Sequence, residues 1–172
     1  SFSKSIFPGL RFGYLTADAR FVDHARAFRT LSLRHPPGLT QRTVAYFLSE
    51  GHYNSHSRRM RTRMARRNEV LREALARHDL RPALDKATGG TTLWLHGPLG
   101  LDTDDLSVAL REKGVLIEPG SAFYANPGAP RNRARLGFST IEPALIPKGA
   151  DLIAEAIAEQ MAQARARSDL GS

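Results

Sequence analysis

Cysteine is absent from the 172 residues, which excludes disulfides and thiolate metal sites and agrees with a cytoplasmic protein. No apolar run approaches the ~18 residues that a membrane helix needs. No basic, apolar, small-residue pattern of a secretory signal stands at the N-terminus. Neither Pro8-Gly9 nor Gly89-Gly90 forms a Walker or dinucleotide loop, and no Ser/His/Asp arrangement can be placed. Metal-ligand patterns are missing too. His52 and His56 have i,i+4 spacing, but no third ligand of suitable type and no HExxH accompany them, so they read as solvated or partner-facing. A chain that opens at Ser1 rather than Met is expected to be a truncated or processed product.

Acidic residues are scarce: 17 Asp+Glu stand against 25 Lys+Arg, a formal charge of +8. Such an excess brings nucleic acid to mind. Much of it lies in one stretch, however, where Arg58, Arg59, Arg61, Arg63, Arg66 and Arg67 crowd a single helix. A solvated helix face is the commoner meaning of such a run. With 41% hydrophobic and 24% charged residues, the composition is that of a soluble globular protein with room for one medium domain.

Periodicity gives the order of elements. Leu10 to Leu15 reads as a short strand carrying Arg11. Asp18 caps a helix over Ala19 to about Leu31 (Phe21, Val22, Ala25, Phe28), stopped at His35-Pro36-Pro37-Gly38. Thr40 caps a helix to about Glu50, and a long one runs from about Tyr53 to His78 on Met60, Met64, Leu71 and Leu75. At ~1.5 Å per residue the latter approaches 40 Å, long enough to join two domains. From Leu80 the pattern becomes α+β. Strands are expected at Thr91 to His96, Val115 to Glu118 and Arg133 to Ser139, the last two separated by a loop from Pro119 to Tyr124 and a turn-rich segment, 126–130. A helix capped by Asp102 or Thr103 and closed by Gly114 covers them, with a final helix from about Ala150 to Arg167. Residues 1 to about 35 cannot bury their own apolar faces and should be poorly supported unless another chain or fragment supplies the missing half.

The first fourteen residues, SFSKSIFPGLRFGY, carry the chemistry. Ser1 and Ser3 precede Lys4, and Pro8-Gly9 leads to Arg11. Serines with an arginine suit a dianion such as phosphate, and a lysine held neutral suits an imine with an aldehyde. On the third strand Arg133, Arg135 and Gly137 share one face. Arg135 there is open to three readings: a bound carboxylate, an ion pair with Glu118, or exposure at a sheet edge.

The order Ser-x-Ser-Lys, Pro-Gly, Leu-Arg-x-Gly-Tyr resembles the cofactor-lysine segment of fold-type I pyridoxal-phosphate enzymes, the aspartate-aminotransferase family. The nearest likeness is the aminotransferase-like domain of the MocR/GabR group of GntR-type bacterial transcriptional regulators. It continues through RRMRTRMARRNEVLREAL, VLIEPGSAFY and RARLGFSTIEP. It covers nearly all of this chain but only the last part of the family's domain. The resemblance implies an α/β fold with an α+β small domain: a remnant of the large cofactor-binding domain over 1–37, interdomain helices over 38–79, and a small C-terminal domain of antiparallel-type sheet plus helices over 80–172. It implies pyridoxal 5'-phosphate as cofactor, Lys4 as its imine-forming lysine, and Ser1, Ser3 and Arg11 as phosphate ligands, Ser3 the weaker. It assigns Arg135 to a substrate or effector carboxylate, with Gly120, Ser121 and Phe123 lining the cleft. The family's ring-stacking and ring-nitrogen residues lie upstream of the cofactor lysine, as does its winged helix-turn-helix, and this chain has neither.

The implied function is an amino-compound-sensing domain of a transcriptional regulator, with little or no turnover. An amino acid or other amino compound would exchange onto the cofactor at Lys4 and so control DNA binding elsewhere in the parent. Its partners would be that effector, DNA only through the absent winged helix, and a second copy or the missing half. A metabolic class I/II aminotransferase is the alternative, and Lys4 cannot choose between the two. A basic nucleic-acid-binding module ranks third, without a recognition helix or aromatic ladder.

Overall fold

The computed structural model describes residues 1–82, 90–126 and 128–169; Gly89 of the Gly89-Gly90 pair and Pro127 of the turn-rich segment lie outside them. The chain gathers into two units, residues 1–61 and 62–172. The first holds helix α1 (Phe2–Ser5), a 3-10 turn at Pro8–Leu10, α2 (Ala19–Ser32), α3 (Gly38–Ser49) and the start of α4 (His52–Ala76). Asp18 caps α2 as its position predicts, its carboxylate accepting from the Phe21 N–H at 3.0 Å. Yet α2 buries none of its residues within this unit, leaving Phe21, Phe28 and Leu31 exposed. Phe2 and Val44 are the buried apolar residues here.

Two expectations for this unit are corrected. Leu10 to Leu15 forms no strand: Leu10 ends the 3-10 turn and Arg11 sits in the left-handed region at φ 45°, ψ 43°. Alternating apolar residues become a strand only when a neighbouring strand takes their backbone groups, and here one bond, from the Phe2 N–H to the Phe12 carbonyl, does so. Helix α3 starts at Gly38 with Pro37 at its cap, not at Thr40. The fixed φ of Pro37 pre-sets that first turn, whose Pro37 carbonyl accepts from the Gln41 N–H.

The second unit is built on a four-stranded antiparallel sheet in the order β1-β2-β4-β3. Its strands are β1 (Arg81–Pro82), β2 (Thr92–His96), β3 (Glu118–Pro119) and β4 (Arg133–Gly137). Ladder pairing starts at Glu118 rather than Val115 and ends at Gly137 rather than Ser139, because Val115 to Ile117 lack a neighbour in register. Leu93 and Leu95 of β2 and Leu136 of β4 face a core shared with Leu71 and Leu75 of α4, Leu106 and Leu110 of α5 (Thr103–Glu112), and Ile153 and Ile157 of α6 (Ile146–Asp169). Asp102 caps α5 by accepting from the Asp104 N–H. At its far end Gly114, at φ 79°, closes the helix: the Gly114 and Val115 N–H groups return to the Arg111 and Leu110 carbonyls. Helix α6 begins a turn earlier than its apolar stripe suggests. No helix among the described residues is long and apolar enough to cross a membrane.

Candidate functional site

In the first unit the segment 1–14 folds back on itself. The Phe2 N–H donates to the Phe12 carbonyl at 2.9 Å, and the Phe2 ring stacks on Phe12 at 6.2 Å and meets Tyr14 and Tyr53. This bridge sets Ser1 beside Gly13 so closely that a Cβ at Gly13 would lie 3.1 Å from the Ser1 Cα. Ser1 and Arg11 thus flank a single backbone bridge. Ser1 is the N-cap of α1 and Lys4 stands three residues on, so both lie on one helix face. Ser3 is buried, whereas Ser1, Lys4 and Arg11 are exposed. Among the described residues no carboxylate pairs with either Lys4 or Arg11. Left-handed backbone at a residue that is neither glycine nor asparagine costs ~1–2 kcal/mol, and at Arg11 it accompanies the return of the chain toward Ser1.

This donor set fits pyridoxal phosphate in its chemistry. A primary amine suits the aldehyde, and a hydroxyl with a guanidinium suits the phosphate. Two cations carried on one folded segment, neither paired with a carboxylate among the described residues, suit a dianion.

The second group of candidate residues lies on the sheet face opposite the core. Register places Trp94 across from Arg135, and Glu118 across from Arg135 on the other side. The Arg135 fork grips both Glu118 oxygens: its Nε donates to Oε2, and its second arm donates to Oε1 at 2.6 Å. That contact, first by hydrogen bonding, holds the Glu118 carboxyl below its ordinary value. The Phe123 ring lies 4.6 Å from the Arg135 guanidinium carbon, a cation–π distance. Trp94 meets Phe123 edge-on at 5.6 Å and Tyr124 at 6.1 Å. His96, opposite Arg133 on the same face, is held below its ordinary pKa by burial and then by that charge.

The loop after β3 is pinned from behind. The buried Thr103 hydroxyl lies 2.8 and 2.7 Å from the Arg131 and Arg133 carbonyls and accepts from the Gly120 N–H. The Ser121 hydroxyl donates to Asp104 at 2.6 Å, and Arg131 ties Asp102 and Asp104 together. Gly120 is obligatory in this packing, since a Cβ would fall 2.6 Å from the Arg133 carbonyl oxygen.

Of the residues singled out from sequence, Ser1, Ser3, Lys4 and Arg11 thus belong to one unit, and Gly120, Ser121, Phe123 and Arg135 to the other. Arg135 takes the ion-pair alternative in this structure. Thr103 and Trp94 were missed as site residues. Thr103 gave no signal beyond a helix start, but Trp94 alternates with Leu93 and Leu95 and could have been placed on the Arg135 face. His52 and His56 pack against aromatic rings, His52 on Tyr46 and Phe47 and His56 on Phe47. Among the described residues no three His, Cys, Asp or Glu side chains gather as a metal would need.

Residues 1–153 match the family described as aminotransferase class I and II. The chain is 48% identical over 157 residues to the HTH-type transcriptional regulator TauR of Rhodobacter capsulatus, covering 91% of this chain and 32% of that protein. It is 31% identical to the probable rhizopine catabolism regulatory protein MocR of Rhizobium meliloti, over 87% of this chain and 30% of that one. The chain therefore spans about a third of the length of these relatives. In structure it resembles the kynurenine aminotransferase of Pyrococcus horikoshii, with a TM-score of 0.85 at 26% identity over 93% of this chain and 40% of that one. The architecture is that of the C-terminal portion of the fold-type I aminotransferase fold.

Proposed function

The chain belongs to the class I and II aminotransferase family, and from that premise we propose that it is the C-terminal part of a pyridoxal-phosphate-binding, amino-compound-sensing domain in a bacterial transcriptional regulator. The observation that supports this reading is the folded segment 1–14, in which the Phe2–Phe12 backbone bridge brings Ser1 beside Gly13 and near Arg11 in the chain, with Lys4 on the following turn and no carboxylate paired with Lys4 or Arg11 among the described residues. Likeness to two regulators over nine-tenths of the chain supports regulation rather than metabolism.

Within this reading Lys4 supplies the amine that holds the cofactor's aldehyde carbon, and Ser1 and Arg11 hold its phosphate. Two attachment points about one ring apart fix the ring's orientation. When bound, the cofactor supplies an electron sink for the bond changes at an amino carbon. Arg135 belongs to the recognition of an effector's acid group, bound through both guanidinium arms. Gly120, Ser121 and Phe123 belong to the same recognition surface. The parent would be cytoplasmic, and would meet DNA through a winged helix-turn-helix outside this chain.

A metabolic aminotransferase is the second reading, favoured by the fold likeness to kynurenine aminotransferase. Full-length protein separates the two. Its operator-DNA affinity should change when an amino acid is added in the presence of pyridoxal phosphate. That response should be lost in Lys4→Ala, with no steady transfer of the amino group to 2-oxoglutarate. Steady transfer without any effect on DNA would establish the metabolic reading instead.

A further inference from the structure

The Arg135 fork already holds a carboxylate, and that carboxylate is the chain's own. We infer that Glu118 is the resident occupant of an anion site at Arg135, and that a ligand's carboxylate binds there by displacing it. This rests on the reading of Arg135 as the residue that takes an effector's acid group, and it adds how that group is selected.

Three observations carry the inference. Glu118 uses both of its oxygens on two guanidinium arms, so a second carboxylate cannot take the same bidentate geometry while Glu118 stays. The pair is imposed by register, Glu118 standing directly across from Arg135 in the β3–β4 ladder, so the contact reforms as soon as a ligand leaves. Finally, both side chains remain partly open to water, 38% for Arg135 and 51% for Glu118. Glu118 can therefore be released into solvent without opening the core, where an exposed pair is weakly held.

The surroundings fit a displaceable partner rather than a structural one. The Phe123 ring backs the guanidinium at 4.6 Å and can keep it in plane whichever carboxylate is bound. The loop that carries Phe123 is anchored independently of Glu118, through Gly120 on Thr103 and Ser121 on Asp104. Displacement then moves one side chain and leaves the backbone in place. An internal competitor lowers affinity for every simple acid, so a ligand must add contacts of its own, such as an amino group held elsewhere, to be bound well.

The test uses the single tryptophan of the chain, Trp94, which lies across from Arg135 and against Phe123. The 172-residue chain serves because its second unit has a core of its own. Acetate is titrated at constant ionic strength into wild type, Glu118→Gln and Arg135→Gln, following the Trp94 indole N–H resonance, with acetamide as neutral control. Glu118→Gln is expected to reach half-saturation at about 1.5- to fivefold lower acetate than wild type, the scale of an exposed ion pair. Arg135→Gln should lose the response, and acetamide should produce none. Equal half-saturation in wild type and Glu118→Gln, with the response lost in Arg135→Gln, would overturn the role of Glu118 while leaving Arg135 as the anion residue. An acetate response undiminished in Arg135→Gln, or none in Glu118→Gln, would remove the anion site itself and the inference with it.

Discussion

Gly120 shows how narrowly single residues set the sheet-face site. A methyl group there would meet the Arg133 carbonyl oxygen at 2.6 Å and the Arg133 Cβ at 2.8 Å, contacts that only a backbone shift relieves. Gly120→Ala should destabilise the second unit by about 1–3 kcal/mol in urea unfolding, and should alter Trp94 emission because the loop carries Phe123 and Tyr124. Unchanged stability and emission would mean that the loop is not pinned as described. Thr103 holds the same loop through a hydroxyl that serves two carbonyls and one N–H. Gly120 was singled out in sequence, but the Thr103 staple was not legible, because a threonine at a helix start looks the same whether its hydroxyl caps the helix or staples a distant strand. The fork of Arg135 was legible only as a choice. Alternation placed it away from Leu136, but which anion it meets depends on the register of a strand seventeen residues away.

At the scale of elements, most local chemistry was legible, the cap of α3 excepted, and pairing was not. Asp18, Asp102 and Gly114 act through backbone groups a few residues away, so their neighbours in sequence suffice. The strand expected at Leu10 to Leu15 and the start expected at Val115 failed because ladders are non-local. β1 escaped notice because it is two residues long and ends in Pro82. The cap of α5 also gives a pH test. The Asp102 carboxyl is held below its ordinary range, first by the hydrogen bond from Arg131 and further by the Asp104 N–H, against partial burial. A group depressed in the folded state adds stability above its unfolded value, near ~3.9, and loses it as pH falls through the folded one. Asn caps as well as Asp, so Asp102→Asn should be less stable than wild type at neutral pH, with the gap closing in acid below pH ~4. A gap that persists unchanged to pH ~2 would contradict this. Helix α4 offers another check. Arg66 donates to Glu69 at 2.9 Å and Arg67 to the Ile141 carbonyl at 2.7 Å, which engages part of the arginine run internally. Its affinity for duplex DNA should be weak and vanish by about 0.2 M salt. Sequence-selective binding that survives there would promote the nucleic-acid reading.

For the molecule as a whole, the sequence pattern anticipated a self-sufficient C-terminal part and an N-terminal part that is not, and the burial pattern follows it. Leu95, Leu106, Leu110 and Phe138 are almost wholly enclosed in the second unit, while Phe28 and Leu31 of the first stay open to solvent. Size and periodicity could say that much, since apolar residues without an opposing layer cannot be buried. They could not supply the return of residues 11–13 onto residues 1–3, which depends on the left-handed turn at Arg11. That return underlies the proposal that Ser1, Lys4 and Arg11 form one cofactor site. The full-length protein, incubated with pyridoxal phosphate and reduced with borohydride, reports on it directly by peptide mass. The phosphopyridoxyl label is expected on Lys4. It should disappear in Lys4→Ala, and in Arg11→Ala should need about tenfold or more cofactor for the same yield, the scale of a charge-assisted hydrogen bond. A label carried by another lysine and undiminished in Lys4→Ala would contradict the assignment.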